Sequence, residues 1–189
     1  MKPIVFWSLM GVGLLTVAVV ANLCPTCREF GRHHHSPERA PDATMKTISA
    51  AQTDFRTNLR SGDSFPRFWR ADIAGLYALA PGGGPAIKLI DLSVAAADER
   101  PRTDLAGLAV RTPKAGYWYR SIRHANEDGQ ALDPNRFAYC AFPDTESAGR
   151  YIYVVDERRQ VYRAEANGRR GVEVFPTDEE LRKQWSKID

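Results

Sequence analysis

The feature that most limits how this chain can fold is a long apolar segment near its amino terminus. Residues 4–23 read IVFWSLMGVGLLTVAVVANL and contain no charged side chain. With a rise of about 1.5 Å per residue, a helix of this length spans about 30 Å, which matches the hydrocarbon core of a bilayer. A helix packed on a soluble domain would normally carry a polar face, and this segment shows none. Residues 1–23 are therefore predicted to be a membrane anchor or a signal segment.

Two fates fit this segment. The residues Val19, Val20 and Ala21 resemble the small-residue pattern before a signal cleavage point, and cleavage would give a secreted protein. The apolar run is longer than the core of most signal peptides, which favours a retained, single-pass anchor in the cell membrane. Lys2 makes the leader basic, and a short basic leader normally stays inside the cell. We therefore expect residues 24–189 to lie outside the cytoplasm.

Residues 24–42 differ in composition and are predicted to form a flexible neck. Pro25, Pro37 and Pro41 oppose a continuous helix, and the segment has too few apolar residues for a core of its own. The leading interpretation is a tether between the membrane segment and a folded domain.

The neck also carries side chains that bind metals. These are a C-x-x-C pair and a histidine triplet: Cys24, Cys27, His33, His34 and His35. The spacing of the two cysteines lets both sulfurs reach one metal ion or each other, and the histidines could complete a set of four ligands for zinc or copper. Outside the cytoplasm a close cysteine pair is more often oxidised. If these five side chains act as metal ligands or the two cysteines as a redox pair, the chain is a metal-binding or thiol-redox protein, and this is the alternative to the tether.

Charge and motifs exclude other classes. The net charge of +3 is small, and the basic residues are spread along the chain instead of forming a stripe, so we expect no nucleic-acid partner. A third possibility is a hydrolase built on Ser121, His124, Asp128 and Asp133, but no G-x-S-x-G motif accompanies them. A polar surface loop around His124 is the simpler interpretation, and Cys140 among aromatic residues is typical of a small buried hydrophobe. The sequence predicts no enzyme and no resident cofactor.

Residues 43–189 are predicted to form one domain that begins with an amphipathic helix. Apolar side chains recur there at helical spacing: Met45, Ile48, Ala51, Phe55 and Leu59. Asp42 or Thr44 could cap the start of this helix, and Gly62 could end it. The spacing of Ile87, Ile90, Val94 and Ala97 predicts a second, short helix before Pro101.

The second half of the domain has the pattern of an antiparallel sheet. Five short segments rich in aromatic and branched residues are separated by turn signals: GYWYRSI, RFAYCAF, RYIYVVD, QVYRAE and VEVF. Thr177 and Glu180 form a capping box that predicts a short terminal helix. The expected fold class is α+β: after the membrane helix, an amphipathic helix and short helices pack on one face of an antiparallel sheet of three to five strands.

The order of these elements resembles that of type IV pilins and pseudopilins. The stretch MKTISAAQTDFRTN, residues 45–58, is similar to the helix that follows the anchor in such proteins, and residues 116–163 resemble the carboxy-terminal half of a bacterial family of exported, pilin-like domains. The anchor here contains no glutamate and no prepilin-peptidase site, so the resemblance implies a pilin-like module on a different tether. Its expected role is non-enzymatic contact with envelope or secretion proteins.

Overall fold

Helix α1, Arg39–Thr57, opens the part of the chain that this computed structural model describes, namely residues 39–62, 64–124 and 133–188. The predicted apolar stripe is confirmed over most of its length, since Met45, Ile48 and Phe55 are buried. Leu59 was wrongly included, because it follows the end of the helix at a φ of 50° and is 42% exposed. Apolar spacing alone cannot show where a helix stops.

The helix begins four residues before the predicted domain boundary at residue 43. Pro41 is its third residue, where the missing N–H has no intrahelical partner to lose. Thr44 and Asp42 lie inside the helix, so the expected cap is wrong. The Thr44 hydroxyl instead donates to the carbonyl of Ala40, 2.8 Å away. Residues 39–42 of the predicted neck are therefore helical, and the rest of the neck and the predicted anchor lie outside the described residues.

Two very short helices follow: α2, Gly75–Ala78, and α3, Leu92–Ala96. Helix α3 confirms the predicted second helix around the buried Val94, although Ile87 and Ile90 precede it. Single 3₁₀ turns occupy Pro81–Gly83 and Thr103–Leu105. Within the described residues, no helix is both long and apolar enough to cross a membrane.

A five-stranded antiparallel sheet forms the centre of the domain and confirms the α+β class. Its strands are β1 (Tyr117–Ser121), β3 (Ala138–Pro143), β4 (Tyr151–Asp156), β5 (Val161–Glu165) and β7 (Ser186–Ile188), in the order β1-β3-β4-β5-β7. The register aligns Tyr119, Ala141, Tyr153 and Arg163 across four strands. Two further strands, β2 (Arg123–His124) and β6 (Val174–Phe175), pair in parallel in a separate ribbon. The segment VEVF was therefore wrongly expected in the main sheet.

Both faces of the sheet are covered. On one face, the buried rings of Tyr117, Tyr119, Tyr139 and Tyr153 belong to the same core as Met45 and the rest of the buried side of α1. The alternate residues of the same strands point to a second core, which includes Phe175 and Leu181. Leu181 belongs to helix α4, Asp178–Gln184, so this helix lies on the face opposite α1. The prediction of helices on only one face is wrong on this point.

Helix α4 starts where the sequence predicted. The Thr177 hydroxyl accepts the Glu180 N–H at 3.3 Å, and the Glu180 carboxylate accepts the Thr177 N–H at 2.8 Å. This reciprocal pair satisfies two amide groups that a helix start leaves without intrahelical partners.

Candidate functional site

The metal ligands predicted in the neck are Cys24, Cys27, His33, His34 and His35, and all five lie outside the described residues. Over residues 39–62, 64–124 and 133–188, no three histidine, cysteine or carboxylate side chains come together as metal ligands would. The candidate site residues that do lie in the described domain are those of the possible hydrolase set around His124.

A cleft of about 350 Å³ surrounds His124. Its lining comes from β2, the loop two residues before β3, the turn after β4, and the stretch from the end of β6 to the start of α4: His124, Arg136, Glu157, Arg158, Phe175, Pro176, Thr177 and Asp178. His124 is only 4% exposed, so the interpretation of a polar surface loop is wrong for this residue. The parallel pairing of β2 with β6 and the ring of Phe175, with centroids 5.4 Å apart, enclose the imidazole.

Both nitrogens of the imidazole are occupied. Nδ1 lies 2.7 Å from Nη2 of Arg136. A guanidinium nitrogen can only donate a hydrogen bond, so Nδ1 is the acceptor and the proton sits on Nε2. Nε2 donates to the carbonyl of Phe137 at 3.1 Å and lies 3.4 Å from Glu157 Oε2. The geometry fixes one tautomer and leaves neither nitrogen for a substrate proton.

Glu157 is held as a carboxylate. Its partial burial acts to raise the pKa, but the adjacent His124 imidazole, the local backbone and the bond from Arg136 together outweigh burial and lower the pKa to about 2. The Arg136 Nε lies 3.2 Å from Glu157 Oε1. A group with this pKa stays ionised at neutral pH, so it cannot deliver a proton as a general acid.

The other members of the hydrolase set are bonded elsewhere. The Ser121 hydroxyl donates to the carbonyl of Arg70 at 2.8 Å. Asp133 accepts the N–H of Asn135 at 2.8 Å, and Asp128 lies outside the described residues. The structure thus gives Ser121 and His124 separate partners.

Cys140 is confirmed as a small buried residue. It is 0% exposed, and its Sγ accepts the N–H of Val172 at 3.5 Å. Burial raises the pKa of the thiol to about 12. The thiolate is the nucleophilic form of cysteine, so this burial disfavours a nucleophilic role for Cys140 at neutral pH.

Sequence reasoning missed two buried acids beside α2. Asp98 accepts the N–H groups of Ile73 and Ala74 at 2.7 and 2.8 Å, and Asp72 accepts those of Gly75 and Arg102 at 2.9 and 2.8 Å. Burial raises the pKa of Asp98 to about 6. An aspartate three residues before Gly75 is a recognisable start signal for a helix, whereas nothing in the sequence connects Asp98 to α2.

Arg120 was missed as well. It is 3% exposed on β1, where its Nη1 lies 3.0 Å from Glu99 Oε2 and its Nη2 donates to the carbonyl of Arg170 at 2.9 Å. Its guanidinium also stacks on Phe142, 4.9 Å from the ring centroid. These contacts fix the segment after β5 against the sheet, which is a structural task.

Comparison of this chain with protein-family models, with curated proteins and with solved structures found no match. The resemblance to pilins and pseudopilins stays a prediction.

Proposed function

We propose that this protein is a membrane-anchored, extracytoplasmic domain without enzymatic activity that acts through contacts with other proteins, as in an envelope or secretion assembly. In this proposal, residues 4–23 anchor the chain, the neck holds the domain away from the bilayer, and the compact unit Ser36–Asp189 makes the contacts.

The observation that carries the proposal is the state of the reactive side chains in the described domain. His124 has both nitrogens bonded, Cys140 is a buried thiol with a raised pKa, and Asp98 is enclosed by backbone N–H groups. Acid–base or nucleophilic catalysis needs such a group within reach of a substrate. Each of these groups serves the fold, which supports a binding domain over an enzyme.

The anchor is tested by fractionating cells that produce the full chain. We expect it in the carbonate-resistant membrane fraction, with the domain open to protease added outside the cytoplasmic membrane. Leu14→Arg places a charge in the middle of the apolar run, at a cost of about 3 kcal/mol, and should release or destabilise the protein. Leu14→Ile is the matched control and should behave as the wild type. Equal membrane retention of the Arg and Ile variants would refute the anchor.

A second candidate is metal binding or thiol redox chemistry in the neck. It is favoured by the five ligand-type side chains within residues 24–35. The full chain, purified anaerobically without chelator or affinity histidines, should then hold about one equivalent of zinc or copper. Cys24→Ser should lose the metal, whereas Cys140→Ala should keep it because Cys140 is buried in the sheet. A metal-free wild type would leave the neck as a tether.

A further inference from the structure

We infer that a cleft between helix α4 and the chain on either side of strand β6 binds a neutral sugar ring of the glucose type, a ligand with apolar faces and a rim of hydroxyl groups. This inference goes beyond the proposed function and does not depend on it. The cleft has a volume of about 330 Å³. This is close to the lower limit for ligand-binding clefts and suits a ligand of one or two rings.

One part of the cleft is apolar and is formed by Val172, Phe175, Pro176 and Trp185. Phe175 is 4% exposed and Pro176 is buried, while Val172 and Trp185 are half-buried and pack against the second core. The N–H of Val172 donates to Cys140 Sγ at 3.5 Å, which fastens this residue to the sheet. The apolar wall is therefore in place before a ligand arrives, and this reduces the ordering cost of binding.

The charged groups of the cleft do not select a charged ligand. Two charged side chains line it, one of each sign, namely Arg169 and Glu180. The Glu180 carboxylate accepts the N–H and the hydroxyl of Thr177 at 2.8 and 2.9 Å. Arg169 Nη2 donates to the carbonyl of Glu165 at 2.9 Å. Because the two charges offset each other and both groups are already hydrogen-bonded within the protein, a neutral ligand complements the cleft better than an ion does.

Two neutral polar groups of the cleft are open to a ligand. Within the part of the chain that the structure describes, neither the Trp185 Nε1–H nor the Gln184 amide has a hydrogen-bond partner. Gln184 is exposed, and the Trp185 nitrogen is not sealed from solvent. An indole N–H only donates a hydrogen bond, whereas an amide both donates and accepts. Hydroxyl groups also do both, so they match this pair of side chains.

A sugar ring satisfies the apolar and the polar parts of the cleft together. In a pyranose of the glucose configuration, the hydroxyl groups lie around the rim and C–H groups occupy the two faces. Slightly positive C–H groups pack well on the negative face of an aromatic ring. A purely apolar ligand would instead cover the Trp185 N–H and the Gln184 amide without offering them a partner, which costs free energy.

The test uses the full chain in phosphatidylcholine nanodiscs with cellobiose as the probe, measured by saturation-transfer difference NMR against empty nanodiscs. We expect saturation to reach cellobiose and to favour the protons on one face of a glucose ring over those on the other by about twofold. Gln184→Ala and Trp185→Phe each remove one neutral polar group and should lower the affinity for cellobiose about threefold or more. Alanine preserves the end of α4, and phenylalanine preserves an aromatic ring.

Trp118→Phe is the matched control. Trp118 is half-buried and packs against the same core as Trp185. It does not line the cleft, and its Nε1 already donates to Asp144 Oδ1 at 2.7 Å. The substitution should therefore leave the affinity for cellobiose unchanged.

Several results would overturn the inference. One is a saturation of cellobiose no greater than in empty nanodiscs. Another is equal saturation of sorbitol, which has the hydroxyl groups but no rigid ring face. Displacement of cellobiose by a lower concentration of indole would assign the cleft to apolar ligands, and equal effects of Trp118→Phe and Trp185→Phe would place the binding elsewhere. The fractionation of Leu14→Arg concerns a different part of the chain, so either test can fail without the other.

Discussion

Replacing Asp98 by asparagine should remove a defined part of the pH dependence of stability. Asp98 is 0% exposed, and its carboxylate accepts the N–H groups of Ile73, Ala74 and Arg100. Asparagine keeps one oxygen for two of these donors and turns its NH₂ group toward the third. The variant therefore lacks one of the buried hydrogen bonds that the ionised carboxylate accepts, a loss of about 1–3 kcal/mol.

The pH-dependent part follows from the raised pKa. Burial lifts the pKa of Asp98 from its ordinary value of 3.8 to about 6. The folded protein therefore binds more protons than the unfolded chain between these two values, and this contribution to stability is lost as the pH rises through 6. A difference of about two pKa units corresponds to about 3 kcal/mol. Asparagine does not titrate, so this contribution is absent from the variant.

The measurement is urea unfolding of the full chain in detergent, followed by near-ultraviolet circular dichroism of the buried tyrosines, between pH 4 and pH 7. The free energy of unfolding of the wild type minus that of Asp98→Asn should fall by about 3 kcal/mol across this range. Asp156, Glu157 and Glu173 also have shifted pKa values, but both proteins contain them, so their contributions cancel. A difference that stays constant with pH would refute the assignment of a raised pKa to Asp98.

Two further predictions concern packing and the domain boundary. Gly149→Ala should lower the free energy of unfolding by about 1–3 kcal/mol, because the new methyl group would collide with the buried hydroxyl of Tyr117. Gly107→Ala is the control: nothing lies within 4 Å of its new methyl group, so the free energy of unfolding should change by less than about 0.5 kcal/mol. Equal effects of the two substitutions in urea titrations would contradict this account. A fragment of residues 36–189 should fold alone. The shorter fragment 43–189 lacks the first turn of α1 with the buried Pro41, so its free energy of unfolding should be about 1–2 kcal/mol lower. Equal urea midpoints and slopes for the two fragments would place the domain boundary at residue 43.

Elements with a local signature could be predicted from the sequence. The buried side of α1 repeats at helical spacing, strands such as Tyr151–Asp156 are dense in aromatic and branched residues, and the Thr177–Glu180 box marks the start of α4. Each of these signals lies within a few residues of chain. The first and last residues of α1 were harder to predict. Whether Pro41 lies in the first turn and whether Leu59 follows the last turn both depend on how the neighbouring chain packs.

Elements that depend on distant partners could not be predicted. Strand Ser186–Ile188 has no alternating pattern, and it becomes a strand only because β5 offers it a free edge. The pairing of β2 with β6 is equally remote in sequence, and it is this pairing that buries His124. For the same reason the sequence could name His124 only as a possible hydrolase residue, with a surface loop as the simpler interpretation, and could not show that Arg136 and the Phe137 carbonyl occupy its ring nitrogens.

The arrangement of the sheet limits where a partner can bind. Both faces are packed, and the outer edge of β1 is already bonded, because Tyr119 N–H donates to the carbonyl of Ala97 at 3.0 Å and its own carbonyl accepts the N–H of Glu99 at 2.8 Å. The opposite edge is β7, which has three residues and the exposed cation of Lys187, two features that discourage strand addition. If the protein acts through contacts with other proteins, as proposed, the packed faces and the blocked edges direct those contacts to the loops at the ends of the strands and helices.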